Sequence, residues 1–207
     1  MDVREAYNNW AEVYDKNENK TRDLEAAALR KTLSGYRFEN ILEIGCGTGK
    51  NTGWLLNISD NVTAVDFSEE MLARARSRIT SEKVIFKHAD ILKLWTFADR
   101  QYDLITFSLV LEHVEDLDEI FRKVSQVTKP GGLVYVGELH PFKQYSGSKA
   151  RFEIENGTVV LTCFTHHISD FILAAKNAGF QIHDISEFFD DDDRTTIPRI
   201  LTLLLKK

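Results

Sequence analysis

Short apolar runs alternate along this chain with segments in which apolar residues recur at helical spacing. Turn-forming residues bound the apolar runs, which predict strands at Asn40–Ile44, Val62–Asp66, Val84–Lys87, Asp103–Phe107 and Leu133–Gly137. The segments between them predict helices at about Lys50–Asn57, Glu69–Ile79 and Leu117–Val127. Strands that are apolar almost throughout and alternate with helices indicate a parallel sheet covered on both faces.

The pattern changes after residue 137. Residues 141–165 contain two strand-like runs around Asn156-Gly157, a dipeptide typical of hairpin turns, so we expect an inserted β-hairpin there. A helix follows and ends near Gly179, and two further strands are predicted at Phe180–Ile185 and Ile197–Leu205. We therefore expect a doubly wound α/β sheet with a hairpin inserted after its fifth strand.

Size and composition fit one globular domain over residues 1–207, in which residues 1–35 form an N-terminal helical cap. The net charge of −6 gives no sign of a nucleic-acid surface. No stretch approaches the ~20 apolar residues of a membrane span, and the N-terminus is too polar for a signal peptide. The two cysteines make a disulfide framework unexpected and predict a cytoplasmic location.

A glycine loop follows the first predicted strand and carries the strongest functional signal. Gly45, Gly47 and Gly49 alternate in E-I-G-C-G-T-G, which matches neither G-x-G-x-x-G nor a P-loop. Glycine lets a ligand lie against the backbone, and Glu43 stands two residues before the first glycine. A carboxylate repels phosphate, so the loop favours a ligand with an ammonium or sulfonium charge.

Two further acids follow the next strands. Asp66 ends the second strand, beside the loop, where a carboxylate can accept from ribose hydroxyls. Asp90 follows the third strand and could accept from an exocyclic amine such as that of adenine. A positive charge, a ribose and an adenine together describe S-adenosylmethionine.

The order of motifs supports the same ligand. E-I-G-C-G-T-G, V-D-F-S-E-E-M-L, H-A-D-I, Y-D-L-I-T-F-S-L-V-L-E-H-V and K-P-G-G follow one another. This series resembles the class I S-adenosylmethionine-dependent methyltransferases, and is most similar to the ubiquinone/menaquinone-biosynthesis and small-molecule branch. The resemblance runs from about Tyr7 to Gly137. It implies a seven-stranded Rossmann-like sheet whose last strand is antiparallel.

The resemblance also implies a set of cofactor-binding residues. The glycine loop, with Cys46, would pass along the methionine part, and Glu43 would help to fix its amino group. Asp66 would hold the ribose hydroxyls. The remaining residues would contact the adenine, the sulfonium end or the open side of the cofactor: Phe67, Met71, Asp90, Ile91, Ser108, Leu109 and Tyr14.

Methyl transfer needs an aligned nucleophile and, for a hydroxyl or amine acceptor, a base. His140 is our first candidate for that base, with Glu138 to orient it; the alternative is that His140 only shapes the pocket. His113, His166 and His167 are weaker candidates. Adjacent histidines on an extended segment point apart, so we expect no metal site. Four positions in the inserted segment could engage a carboxylate or phosphate on the substrate: Lys143, Tyr145, Lys149 and Arg151. The alternative is that they are ordinary surface charge.

We therefore expect a methyltransferase that acts on N or O of a small-molecule acceptor. One alternative is a member that binds the cofactor without independent catalysis. Another is a protein methyltransferase. The sequence S-L-V-L after the fourth strand, in place of an N/D/S-P-P-Y run, disfavours methylation of bases or glutamine amides. The oligomeric state and the identity of the acceptor stay open.

Overall fold

The computed structural model describes residues 19–148, 151–154, 157–160 and 163–207. Its centre is a seven-stranded sheet in the order β3-β2-β1-β4-β5-β9-β8. The strands are β1 Phe38–Ile44, β2 Ser59–Asp66, β3 Val84–His88, β4 Tyr102–Ser108, β5 Thr128–Leu139, β8 Gln181–Phe188 and β9 Ile200–Lys206. Strand β9 pairs antiparallel with both neighbours, and the pairs among β1 to β5 are parallel. The predicted doubly wound sheet with an antiparallel last strand is confirmed.

Helices cover both faces of this sheet. They are α1 Lys20–Thr32, α2 Thr52–Leu55, α3 Glu69–Arg78, α4 Leu117–Val127, α5 Pro141–Tyr145 and α6 Ile168–Asn177, with 3-10 turns at Leu111–His113 and Asp190–Asp192. One core joins α1, α2 and α3 to the sheet, for example through Leu29, Leu55 and Leu72. The other joins α4 and α6 to the opposite face, for example through Phe121 and Phe171. Burial on both faces explains why the strands are apolar almost throughout.

Local side-chain hydrogen bonds set the helix boundaries. The Ser68 hydroxyl accepts from the Met71 N–H at 3.2 Å and begins α3, as its position before two glutamates predicts. Helix α2 is shorter than the predicted Lys50–Asn57. The Ser59 hydroxyl donates to the Leu55 carbonyl oxygen at 2.8 Å, which draws the chain out of the helix and into β2.

The predicted hairpin is present as β6 Arg151–Ile154 and β7 Gly157–Val160, which pair antiparallel apart from the main sheet. Gly157 pairs with Ile154 and so begins the second strand, while Asn156 lies outside the described residues. The last strand begins at Ile200 rather than at the predicted Ile197 because Pro198, which has no backbone N–H to donate, precedes it. Of the N-terminal helical cap predicted over residues 1–35, the structure describes α1, and residues 1–18 lie outside the described residues.

Candidate functional site

A cavity of about 530 Å³ lies at the carboxyl ends of β1, β2 and β4. These strands meet where the strand order reverses, since β2 and β4 lie on opposite sides of β1. Open α/β sheets bind their ligands at such a point. The cavity lining includes many of the predicted cofactor residues: Gly45, Gly47, Asp66, Phe67, Met71, Asp90, Ile91, Ser108 and Leu109.

The glycine loop forms one wall of this cavity. Gly45 has φ +71°, and a Cβ built on it would lie 2.3 Å from Val110 Cγ2. Gly47 also has positive φ, and its N–H donates to Asp66 Oδ2 at 2.8 Å. Gly45 is therefore required because Val110 approaches it too closely for a side chain. Gly47 is the residue whose backbone N–H binds Asp66, the acid at the end of β2.

Asp66 is buried at the end of β2, where burial raises the pKa of its carboxyl group. Its two oxygens accept from the N–H groups of Gly47 and Ser68, and these bonds oppose that rise. Each carboxylate oxygen has capacity for a further donor. Asp66 is thus held in place by backbone amides and can still accept from hydroxyl groups in the cavity.

The opposite wall combines apolar and polar groups. Met71 is buried, and Phe67 lies beside it with its carbonyl oxygen bonded to His88 Nε2 at 2.9 Å. The Asp90 Oδ1 atom accepts from the Leu92 N–H at 2.9 Å. The Trp95 indole N–H donates to the Ile91 carbonyl oxygen at 2.8 Å and holds that segment against the core. This wall can enclose a flat ring and offer a carboxylate at its edge.

The floor of the cavity is the loop after β4. Leu109 takes the left-handed conformation, with φ 57°, which is uncommon for a non-glycine residue. Glu138 Oε1 accepts from the N–H groups of Val110 and Leu111, at 2.9 and 2.8 Å. Burial, then repulsion from Glu112, raises the pKa of Glu138 to about 8. Through these two hydrogen bonds, Glu138 fixes the backbone conformation of the loop after β4.

Three predicted cofactor residues do not line the cavity. Glu43 is buried and accepts from the Thr52 hydroxyl at 2.5 Å; burial, then repulsion from Glu25 and Asp66, raises its pKa to about 8. Cys46 is buried in the core on the α1–α3 face. Gly49 leaves room for α3, since a Cβ there would lie 2.9 Å from Ile79 Cδ1. Tyr14 lies outside the described residues.

The structure gives His140 a different partner from the predicted Glu138. His140 is fully buried, its Nε2 lies 2.9 Å from Glu187 Oε1, and its Nδ1 accepts from the Phe142 N–H at 3.2 Å. The pKa of His140 is lowered by burial, against the opposing effect of Glu187. Neither His140 nor Glu138 lines the cavity. The roles of Glu138 in orienting His140, and of His140 as the base, therefore lack support from this geometry.

The other candidates divide by position. His113 lines the cavity, together with Val114. His166 is buried with Nε2 2.7 Å from the Val114 carbonyl oxygen, while His167 caps α6 and its Nδ1 lies 2.5 Å from the Tyr145 hydroxyl. The Lys143 ammonium lies 3.8 Å from Asp190. Lys149 lies outside the described residues, and the described part of Arg151 is its backbone in β6.

A buried polar network that sequence reasoning missed adjoins the cavity. Glu25, on α1, accepts from Asn51 Nδ2 at 3.0 Å and from the Tyr135 hydroxyl at 3.1 Å. Asn51 Nδ2 also lies 3.3 Å from Ser108 Oγ, and a hydrogen bond from the Ser108 side chain is among the effects that lower the pKa of Glu25. Burial raises the pKa of Glu25 to about 7 against these hydrogen bonds. The sequence feature that could have revealed this network is the position of Glu25. It stands one turn before the buried Leu29, on the apolar face of α1.

Over the ranges described, no three His, Cys, Asp or Glu side chains are grouped so that they could hold a metal ion. The same ranges contain no helix long and apolar enough to cross a membrane.

Comparison with known proteins agrees with this geometry. The family described as "Methyltransferase domain" matches residues 42–136. The chain is 31% identical over 171 residues to a ubiquinone biosynthesis O-methyltransferase of Xanthomonas euvesicatoria, covering 79% of this chain and 70% of that protein. It is 32% identical over 147 residues to a demethylmenaquinone methyltransferase of Leptospira interrogans, and the match covers 63% of this chain and 57% of that protein. Among solved structures, a DhpI–SAM–HEP complex superposes on this chain with a TM-score of 0.78 at 25% sequence identity. The superposition covers 98% of this chain and 95% of that one.

Proposed function

The chain belongs to the class I S-adenosylmethionine-dependent methyltransferases, and from that premise we propose that it methylates an oxygen or nitrogen atom of a small molecule. The observation that carries the proposal is the cavity itself. It extends from the glycine loop and Asp66, past Ser108, to His113 and Val114. One cavity thus offers room for the cofactor and, beyond its sulfonium end, for a small acceptor.

The residues of the cavity fit S-adenosylmethionine by the chemistry of their donors and acceptors. We assign the ribose hydroxyls to Asp66, whose carboxylate is held by two backbone amides. We assign the adenine to the wall of Phe67 and Met71, with Asp90 at its edge. When bound, the cofactor supplies a methyl carbon activated by positively charged sulfur. The protein has to align the acceptor with that carbon and exclude water.

Electrostatics supports a cationic cofactor. Glu25, Glu43 and Asp66 are buried near one another, and burial raises the pKa of each. Repulsion from Glu25 and Asp66 adds to the rise at Glu43. A nearby positive charge favours ionised carboxyl groups. The ammonium and sulfonium groups of the cofactor would relieve this crowding of acids, whereas a phosphate would increase it.

We favour oxygen as the acceptor atom because one of the two relatives is named an O-methyltransferase. The Xanthomonas relative is an O-methyltransferase of ubiquinone biosynthesis, and the Leptospira relative is a demethylmenaquinone methyltransferase. Both names connect this branch with quinone-type rings. The acceptor side of the cavity presents Val110 and Val114 beside His113, which suits a ring that carries a hydroxyl group.

Calorimetry with S-adenosylhomocysteine tests the cofactor site. Asp66→Ala removes charge-assisted hydrogen bonds to the ribose worth about 1.5–3 kcal/mol each. The Kd of S-adenosylhomocysteine for this variant should therefore rise at least ~10-fold. Asp60→Ala is the matched control, since Asp60 lies on the same strand but forms an exposed ion pair with Arg37. Equal affinity of the two variants would remove Asp66 from the proposal.

Methyl transfer from radiolabelled cofactor tests the acceptor. We expect the chain alone to methylate a hydroxylated aromatic from a panel of catechols, hydroquinones and aromatic amines. Label on the oxygen of a product supports the proposal. Cofactor binding without transfer to any member, or transfer only after a partner protein is added, contradicts it.

A further inference from the structure

We propose that Ser108 and Glu25 form a proton relay that accepts the proton of the methyl acceptor. The inference rests on the proposed function, and it replaces His140 and Glu138 as the basic group. It assigns to Ser108 direct contact with the acceptor. Glu25 then acts through Ser108, from the far side of the cavity wall.

The geometry of three side chains orients the Ser108 hydroxyl. Asn51 Nδ2 lies 3.3 Å from Ser108 Oγ and donates to it, which leaves the hydroxyl hydrogen of Ser108 for another partner. We assign the carboxylate of Glu25 as that partner, because a hydrogen bond from the Ser108 side chain is the largest of the effects that lower the pKa of Glu25. Since Ser108 lines the cavity and Glu25 is 2% exposed, the hydroxyl connects the cavity with a carboxylate that bulk water does not reach.

Glu25 is held so that it can take up a proton. Tyr135 and Asn51 donate to its two oxygens and fix its orientation. Burial raises the pKa of Glu25, while hydrogen bonds from Ser108, Asn51 and Tyr135 and the charge of Lys50 lower it. Ionised Glu25 in turn raises the pKa of Glu43 and of Glu138. The resulting pKa of Glu25, about 7, is near the value at which a base works best at neutral pH.

The proton transfer balances. As the acceptor oxygen forms its bond to the methyl carbon, the carbon–sulfur bond of the cofactor breaks with its electron pair on sulfur. The acceptor proton passes to Ser108 Oγ while the Ser108 proton passes to the Glu25 carboxylate. The products are the methylated acceptor, a neutral thioether and a protonated Glu25.

The test of the relay uses a hydroxylated member of the panel above, a catechol or hydroquinone that the wild type methylates. Its turnover is measured against pH with saturating cofactor. In the wild type, kcat should fall on the acid side, at or below a pH of about 7, because protonated Glu25 accepts no proton and the positive charge of the bound cofactor favours the ionised carboxylate. Glu25→Gln and Ser108→Ala should each lower kcat by ~10²-fold or more, the contribution of a general base. Because Ser108 lines the cofactor cavity, kcat is measured at saturating cofactor, so that a change in the Kd of S-adenosylhomocysteine cannot account for the loss. Ser108→Thr keeps the hydroxyl and should restore turnover.

Tyrosine variants separate the relay from a merely structural network. Tyr135→Phe removes a donor that favours ionised Glu25, so the acid limb should move to higher pH. Tyr102→Phe is the control, since this buried tyrosine lies on β4 and its hydroxyl bonds Thr63 instead. In the infrared spectrum, the component of the buried carboxylic acid band that titrates near pH 7 should be missing in Glu25→Gln and shifted in Tyr135→Phe, while the components of Glu43 and Glu138, whose pKa is about 8, should remain.

Each other outcome counts against the relay. Wild-type turnover and an intact acid limb in Glu25→Gln or Ser108→Ala would overturn it. Weaker S-adenosylhomocysteine binding with normal kcat at saturation would make the network a cofactor-holding device instead. If the wild type methylates no acceptor, the proposed function fails and the relay fails with it. If the wild type is active and only the variants behave contrary to expectation, the relay alone fails.

Discussion

Replacing Gly45 with alanine should destabilise the protein through two separable effects. Gly45 directly follows β1 and takes the left-handed conformation, at φ +71°. An added Cβ would lie 2.3 Å from Val110 Cγ2, which is shorter than any ordinary carbon–carbon contact. The alanine would therefore strain its own backbone and also push Val110, which belongs to the loop that forms the cavity floor, away from the glycine loop.

The two effects can be sized from the structure. A left-handed conformation costs a residue with a Cβ about 1–2 kcal/mol, and overpacking costs about 1–3 kcal/mol. Gly131 has φ +76° with nothing within 4 Å of an added Cβ, so Gly131→Ala carries only the first cost. For a chain of this length each kcal/mol lowers Tm by about 2–4 °C. Gly45→Ala should thus melt ~2–12 °C below Gly131→Ala.

Thermal unfolding of both variants measures the difference. The double variant Gly45→Ala/Val110→Ala isolates the steric part, because truncating Val110 makes room for the new methyl group. The double variant should lose ~1–3 kcal/mol less free energy of unfolding than the sum of the losses in Gly45→Ala and Val110→Ala. Affinity for S-adenosylhomocysteine should fall in Gly45→Ala and remain normal in Gly131→Ala. Equal Tm values for the two single variants, or no recovery in the double variant, would refute the reasoning.

Two further predictions concern buried glutamates. Glu138→Leu should cost about 2–6 kcal/mol in urea unfolding, because the N–H groups of Val110 and Leu111 lose their acceptor. Glu138→Gln keeps an acceptor oxygen and should cost much less; similar losses in both variants would contradict this role. Folding raises the pKa of Glu43 from 4.5 to about 8, so the native chain keeps a proton that the unfolded chain loses within that window. Its contribution to the free energy of unfolding should fall by up to about 1.4 kcal/mol per pH unit as pH rises there. Urea titrations should show a shallower decline in Glu43→Gln, and an unchanged slope would count against the shift.

The sequence predicted most of the fold because its signals are local. Apolar runs located the strands of the sheet, and Ser68 marked the start of α3. Boundaries were less accurate where a side chain competes with the backbone, as Ser59 does at the end of α2. In the candidate site, Asp66 and Asp90 could be placed because strand ends of a parallel sheet meet at one edge.

Long-range pairings could not be predicted in this way. His140 bonds Glu187, which lies 47 positions further along the chain, and Tyr135 bonds Glu25 across 110 positions. No local pattern specifies such partners, since they depend on which helix packs on which face of the sheet. Glu43 matched a family motif, yet its side chain bonds Thr52 and does not line the cavity. A motif predicts a residue's place in the chain more reliably than the direction of its side chain.

The position of β9 constrains how the chain can be completed during synthesis. Strand β9 lies between β5 and β8, although both are made before it. Until residues 200–206 leave the ribosome, β5 keeps an unpaired edge and β8 has no neighbour in the sheet. Unpaired edges invite association with other chains. A ribosome that stalls before residue 200 would therefore release a product prone to aggregate, and nascent chains of this length should be clients of chaperones that shield exposed strands.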